Sequence, residues 1–162
     1  MKARARHHLR KDQEKKILDS LQTRFGKEFA DKIAMAKLEL LETDESDVVL
    51  IDGEPLMFIF EDIPFLTVKG ALKLNPARYT VTVDSGAVKF IAGGADVMAP
   101  GIVAADPAIV EGDYVIVKEE TYGKALAIGR ALMPAGSMVR GKGKAVKSLH
   151  RVGDELWKLA AD

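Results

Sequence analysis

The chain has 162 residues and a mass of 17.6 kDa, enough for one ordinary domain or two small ones. Hydrophobic residues make up 48% and charged residues 30%, so a packed core is within reach and disorder of the whole chain is excluded. Lys plus Arg equals Asp plus Glu at 24 each, which excludes a uniformly basic nucleic-acid coat, and the lack of Cys excludes disulfides, thiolate zinc sites and a Cys nucleophile.

Taken in chain order, an extended segment over residues 4–9 leads into a helix. Asp12 suits its N-cap, Ile17, Leu18, Leu21 and Phe25 recur at helical spacing, and Gly26 suits its end. A second short helix is expected over 27–33. Strands follow over 37–41, 48–52 and 56–61, separated by the acidic turn 43–47 and by Gly53-Glu54-Pro55. Residues 65–68 run into Gly70 and an apolar turn, and Asn75-Pro76 marks a domain boundary. Beyond it, Tyr79, Val81 and Val83 alternate with Thr80 and Thr82 as in a half-buried strand. Residues 86–91 suit a helix ending at Gly93-Gly94, and strands are expected over 102–105, 114–118, 125–132 and near 156–159. Many short strands with few helices is the pattern of a small barrel or sandwich. The expectation is an α+β chain of two domains, residues 1–76 and 77–162.

Charge is segregated along this order. Residues 2–16 hold seven cations against Asp12 and Glu14, and residues 140–151 hold five cations and no acid. Between them, residues 39–62 hold nine acids and no Lys or Arg. This is more polarised than a merely solvated surface requires.

Catalytic motifs find little support. Residues 136–142 match G-x-x-x-x-G-K, but Gly143 stands where a phosphate loop needs Ser or Thr to hold magnesium, and this half is strand-rich. No G-x-S-x-G elbow surrounds Ser85 or Ser137, and neither the adjacent His7 and His8 nor the solitary His150 has metal-ligand spacing. The expectation is no enzyme, no cofactor and no metal. No window reaches the roughly 18 apolar residues of a membrane-spanning helix, and residues 1–16 lack the apolar core of a secretory signal, so no membrane role is expected and a cytoplasmic location is.

The informative stretch runs from Phe90 to Ile102 through Gly93, Gly94, Pro100 and Gly101. Successive glycine N–H groups there can form a concavity for a phosphate or a base edge, or the glycines can simply turn corners in a small barrel. The five cations of residues 140–151 favour a nucleic-acid backbone as ligand, while the few aromatics disfavour an extended stacking platform.

The run Val83-Asp84-Ser85-Gly86-Ala87-Val88-Lys89-Phe90, then Gly93-Gly94-Ala95-Asp96-Val97-Met98-Ala99-Pro100-Gly101-Ile102, resembles the core of a PUA domain. Glu111-Gly112-Asp113, Ala127-Ile128-Gly129-Arg130-Ala131, Gly141-Lys142-Gly143-Lys144-Ala145-Val146 and the run from Leu149 to Trp157 follow in the matching order, so the resemblance covers Arg78 to the end. The N-terminal half is similar to the pre-PUA domain of archaeal-type relatives of the MCT-1 family, on Arg6-His7-His8-Leu9-Arg10-Lys11 and Pro64-Phe65-Leu66-Thr67-Val68. The resemblance implies an N-terminal α/β pre-PUA domain followed by a PUA pseudo-barrel of mostly antiparallel strands that binds structured RNA. It places Lys89, Gly93, Gly94, Ala95, Asp96, Val97, Met98, Pro100 and Gly101 at the groove, Arg140, Lys142 and Lys144 on its basic edge, and Arg130 beside them. Asp96 would cap the loop or accept a base amino group. The eukaryotic relatives pair with the density-regulated protein and act with initiator transfer RNA on the small ribosomal subunit.

The function expected is therefore non-catalytic binding of a transfer RNA acceptor end or a ribosomal RNA element in translation initiation, recycling or ribosome function. The small ribosomal subunit and a translation-factor partner are the expected associates. Two alternatives stand beside it. One is an RNA-targeting subunit of a modification enzyme assembled from separate chains. The other is a protein–protein adaptor working through residues 39–62.

Overall fold

Apolar runs in the first half pair with one another before anything else can. In the computed structural model, which describes residues 1–159, β2 (Leu38–Thr43), β3 (Asp47–Ile51), β4 (Glu54–Phe60) and β5 (Ile63–Leu66) follow one another antiparallel, and β1 (Ala3–His8) adds to the free side of β2. The chain divides into two compact units, one of Met1–Pro76 with Lys158 and Leu159 grouped to it, and one of Ala77–Trp157.

In the first unit, α1 (Lys11–Phe25) and α2 (Lys27–Ala34) bury Ile17, Leu21, Ala30 and Ile33, the residues at helical spacing. Gly26, at φ 98°, ends α1 with its N–H on Gln22 O at 2.9 Å and starts α2. The N-cap of α1 is Arg10, not Asp12. The Gln13 side chain accepts from the Arg10 N–H at 3.1 Å, and Asp12 lies in the first turn, where it pairs with Arg10. The stretch expected as an apolar turn is a helix, α3 (Val68–Leu74). Thr67 caps it by accepting from Gly70 N at 3.0 Å while donating to Pro55 O at 2.8 Å, so a buried hydroxyl fixes the helix start onto β4.

The second unit is built from β6 (Thr80–Val83), α4 (Ser85–Ala92), β7 (Val97–Met98), β8 (Ile102–Ala105), β9 (Tyr114–Glu119), β10 (Ala125–Ala131) and β11 (Lys144–Arg151). The short helix α5 (Glu155–Lys158) follows. The sheet runs β7-β11-β10-β9-β6-β8 and curls into a half-barrel; β6 pairs parallel to β9 and every other neighbour is antiparallel. Val81, Val83, Ile91, Val97, Val117 and Val146 are among the side chains filling its core. This is the α+β pseudo-barrel that the sequence implied.

Two segments depart from expectation. Residues 156–159 do not form a strand, because Asp154 accepts from Trp157 N at 2.9 Å and from Arg151 N at 2.9 Å, which turns the chain into α5. Residues 144–151, read as a basic run, form the longest strand of this sheet. Lys144 and Lys147 point to solvent while Ala145, Val146 and His150 are buried.

The turn from β9 to β10 is organised by a carboxylate. Glu119, only 9% exposed, accepts from Tyr122 N at 2.7 Å and Lys124 N at 2.9 Å. The backbone N–H groups of Lys124, then Tyr122, Thr121 and Gly123, hold its carboxyl below the ordinary value of 4.5. A group whose pKa is lower folded than unfolded contributes stability that is complete above the unfolded value and is lost as pH falls through the folded one. Thermal melting of the wild type is therefore expected to weaken as pH drops below 4.5, and Glu119→Gln to weaken less over the same window while melting lower at neutral pH. An unaltered pH slope in the variant would exclude the carboxylate from this turn's stability.

Candidate nucleic-acid interface

The site grows from α4. Asp84 caps its start, accepting from Ala87 N at 3.0 Å, and Ala87 and Ile91 turn inward, which leaves Lys89 and Phe90 in solvent, Phe90 at 66% exposure. At the other end the helix has carbonyls without helical partners. Gly93 N bonds to Lys89 O and Phe90 O, Gly94 N to Ile91 O at 3.0 Å, and Ala95 N to Phe90 O at 3.0 Å. These contacts favour the second of the two readings of the glycines, a turn that closes the helix. The N–H groups of Gly93, Gly94 and Ala95 are engaged in ending α4, because a helix terminus satisfies its carbonyls with them.

Two arginines clasp the helix. Arg140 donates to Asp84 Oδ2 and to Pro100 O, both at 2.8 Å, at the N-terminal end. Arg151 donates to Ala92 O at 3.1 Å at the C-terminal end. Eight residues separate the ends by about 12 Å at 1.5 Å per residue. Gly94, at φ 99°, makes room for Arg151, since a Cβ there would meet its Nε at 2.9 Å. Any other residue would be strained in backbone and would push the guanidinium away.

The remaining residues fall around these anchors. Val97 pairs with Val146 and is 2% exposed, so its side chain belongs to the core and cannot meet a ligand. Met98 pairs with Lys144 and is 48% exposed. Gly101 O accepts from Asp84 N at 2.8 Å, closing the turn of Ala99–Gly101 against the start of α4. Asp96 joins the loop to β11: its carboxylate accepts from Ser148 N at 2.9 Å and pairs with Lys144 at 3.4 Å. The Ser148 N–H, with Lys144 and Lys147 beside it, holds that carboxyl below the usual carboxylate range. Lys89 and Lys142 are exposed and make no ion pair with any described residue. Arg130 is engaged elsewhere. It lies on β10, two strands from β7, with its guanidinium 5.0 Å from the Tyr114 ring centroid and donating to Tyr114 Oη at 2.8 Å.

The structure thus brings together Lys89, the 93–98 loop, Lys144 and the Pro100–Arg140 clasp at α4, while Arg130 is engaged with Tyr114. Arg151 and Phe90 belong with the set, and sequence reasoning missed both as site residues. Phe90 was legible as the apolar residue off the Ala87–Ile91 face of a short amphipathic helix. Arg151 was legible only as one cation of the basic run 140–151; its contact with α4 had no local signal, since its partner lies 59 residues away. The surface offers cations at both ends of a short helix, an exposed aromatic face between them, and one carboxylate that partly neutralises Lys144.

Residues 79–153 match the PUA domain family. An uncharacterized protein of Methanocaldococcus jannaschii is 44% identical over 162 residues, covering 98% of this chain and 99% of that protein. Translation machinery-associated protein 20 of Saccharomyces cerevisiae is 32% identical over 135 residues, covering 78% of this chain and 75% of that protein. The crystal structure of a hypothetical protein from Pyrococcus horikoshii matches with a TM-score of 0.89 at 39% identity, covering 97% of this chain and 100% of that one. With both the sequence relatives and the half-barrel in agreement, the chain belongs to the PUA-domain family of translation machinery-associated protein 20 and the malignant T-cell-amplified sequence proteins.

Proposed function

We propose that this protein is a non-catalytic, cytoplasmic RNA-binding component of the translation apparatus, and that its second unit holds a structured RNA end, the acceptor end of transfer RNA or a ribosomal RNA helix. The observation that carries the reading is the pair of arginines clasping α4, with exposed Lys89 on that helix, Lys144 paired with Asp96 of the loop after it, and exposed Lys142 next to Gly143, whose carbonyl accepts from Ala99 N at 2.8 Å. Kinship to translation machinery-associated protein 20 supports the setting, with the small ribosomal subunit and a translation factor as associates. A-form RNA presents phosphates and 2′-hydroxyls in a wide, shallow minor groove, which a convex helix flanked by cations can follow by shape. Residues 1–76 would serve as a pre-PUA domain and residues 77–162 as the RNA-binding domain.

The test is binding of the full chain to transfer RNA, intact or trimmed of its unpaired 3′ nucleotides, across a salt series. The acceptor-end reading expects trimming to weaken binding, with Phe90 offering its ring to an unpaired base. Equal binding would move the target to a helical body. Loss of binding to both transfer and ribosomal RNA would overturn the proposal.

A further inference from the structure

The first unit contains a cavity of about 270 Å³ between the first turns of α1 and the ends of β2 to β5. Ile17, Leu40, Ile59 and Pro64 give it an apolar lining, and Asp47 and Asp62 stand among the residues around it. Its volume is below the roughly 300 Å³ at which pockets for drug-sized molecules begin and suits a single long side chain or a small linear molecule.

Two features mark the acidic side as built against local preference. Glu42 and Asp47 are direct cross-strand partners between β2 and β3, a like-charge pairing that destabilises a sheet when nothing relieves it. His7 Nε2 lies 3.8 Å from Glu42 and helps only when protonated. Glu61 and Asp62, the two residues joining β4 to β5, both take positive φ, 50° and 63°, which hairpins ordinarily assign to Asn-Gly. Neither Asp47 nor Asp62 forms an ion pair with a described residue. On the basic side Arg10 is already paired with Asp12 at 3.3 Å, which leaves Lys16 against two carboxylates and Glu42 behind them. Burial, then Glu42, raises the Asp47 carboxyl above its ordinary range, with His7 opposing, so its charge lacks a partner.

We infer that this cavity is a binding site for a cation on an aliphatic stem, a guanidinium or ammonium group meeting Asp47 and Asp62 while its methylenes lie along Ile17, Leu40 and Ile59. The stem matches the apolar lining in the way long basic side chains cover apolar surface and keep their charge at a polar rim. The same chemistry is carried by a free aliphatic amine and by an arginine or lysine of a partner protein. The site is independent of the RNA reading, because every residue lining it belongs to Met1–Pro76.

The experiment titrates the ¹⁵N-labelled full chain with agmatine, spermidine and N-acetyl-arginine amide, following the amides of Asp47, Ile59 and Asp62. Saturable shifts in the millimolar range, about the strength of one charged contact with apolar support, are expected. Saturation by N-acetyl-arginine amide at lower concentration than by either amine assigns the cation to a partner's side chain, and the reverse order to a free amine. Asp62→Gly removes one carboxylate and relieves the positive φ, so it should raise the melting temperature while weakening binding at least about fivefold; Asp47→Asn should weaken it similarly while keeping the strand pairing. Transfer RNA affinity should be unchanged in both variants. Absence of saturable shifts with all three probes, or shifts that survive both substitutions, would overturn the inference.

Discussion

Replacing Lys142 and Lys144 together with glutamate is expected to weaken RNA binding by on the order of 30- to 100-fold near physiological salt and to lower the log–log salt slope by about 1.5. Both side chains are exposed, and a lysine that no longer meets a phosphate takes roughly 0.7–0.9 from the slope, because fewer counterions are released. The two positions differ. Lys142 has no acidic partner among the described residues, while Lys144 is shared with Asp96 at 3.4 Å. Asp96→Asn is therefore expected to act in the opposite direction. The amide oxygen can still accept from Ser148 N, but the charge that competes with phosphate for Lys144 is gone, so binding should tighten and the slope steepen. Filter binding from about 50 mM to about 400 mM salt reads both effects. Unchanged slopes in the lysine variant would take residues 142–144 out of the interface.

Gly70→Ala is expected to destabilise the chain by about 3 kcal/mol, near the upper range for overpacking a core position. A Cβ at Gly70 would sit 2.0 Å from Leu56 O and 2.9 Å from its carbonyl carbon. That oxygen cannot retreat freely, because it accepts from Thr67 N at 3.0 Å, and Thr67 in turn holds Pro55 O and the start of α3. Relief requires α3 to lift from β4 and give up the buried positions of Val68 and Ala71. Gly136→Ala is the matched control: it is exposed, a Cβ there meets nothing within 4 Å, and a change within about 0.5 kcal/mol is expected. Urea unfolding of the two variants decides it. A Gly70→Ala protein as stable as the control would mean that α3 does not pack on β4 at this distance.

Some elements were legible because a single local signal dominates them. The i, i+4 recurrence of Ile17, Leu21 and Phe25 places α1 without any knowledge of its partner, and the alternation of Val81 and Val83 with threonines places β6. Where two local signals conflict, the structure differs from the expectation. In β11, the pairing with β7 is irregular between Lys144 and Val146, so Ala145 and Val146 are buried in succession between exposed Lys144 and Lys147 and no clean alternation marks the strand. In α3, Gly70 reads as a turn former, yet it is present because Leu56 allows no side chain there, a cause lying on another strand. Leu156 and Trp157 are apolar enough for a strand, but the Asp154 cap starts a helix first.

The site divides in the same way. The run after Val83 was legible through its resemblance to the PUA core, which implied the family and the pseudo-barrel, while the strand pattern alone implied a small barrel or sandwich. What each charge does there was decided only by tertiary structure. Arg140 meets Asp84 across 56 residues, Asp96 meets Ser148 across 52, and Gly94 is needed where Arg151 crosses the end of α4. Glu42 faces Asp47 only once the register of β2 and β3 is set. Local propensity fixes which segments become helix or strand; strand register and loop closure then decide which distant charges meet. Those meetings hold Lys144 against Asp96 and leave Lys89 and Lys142 without an ion pair among the described residues.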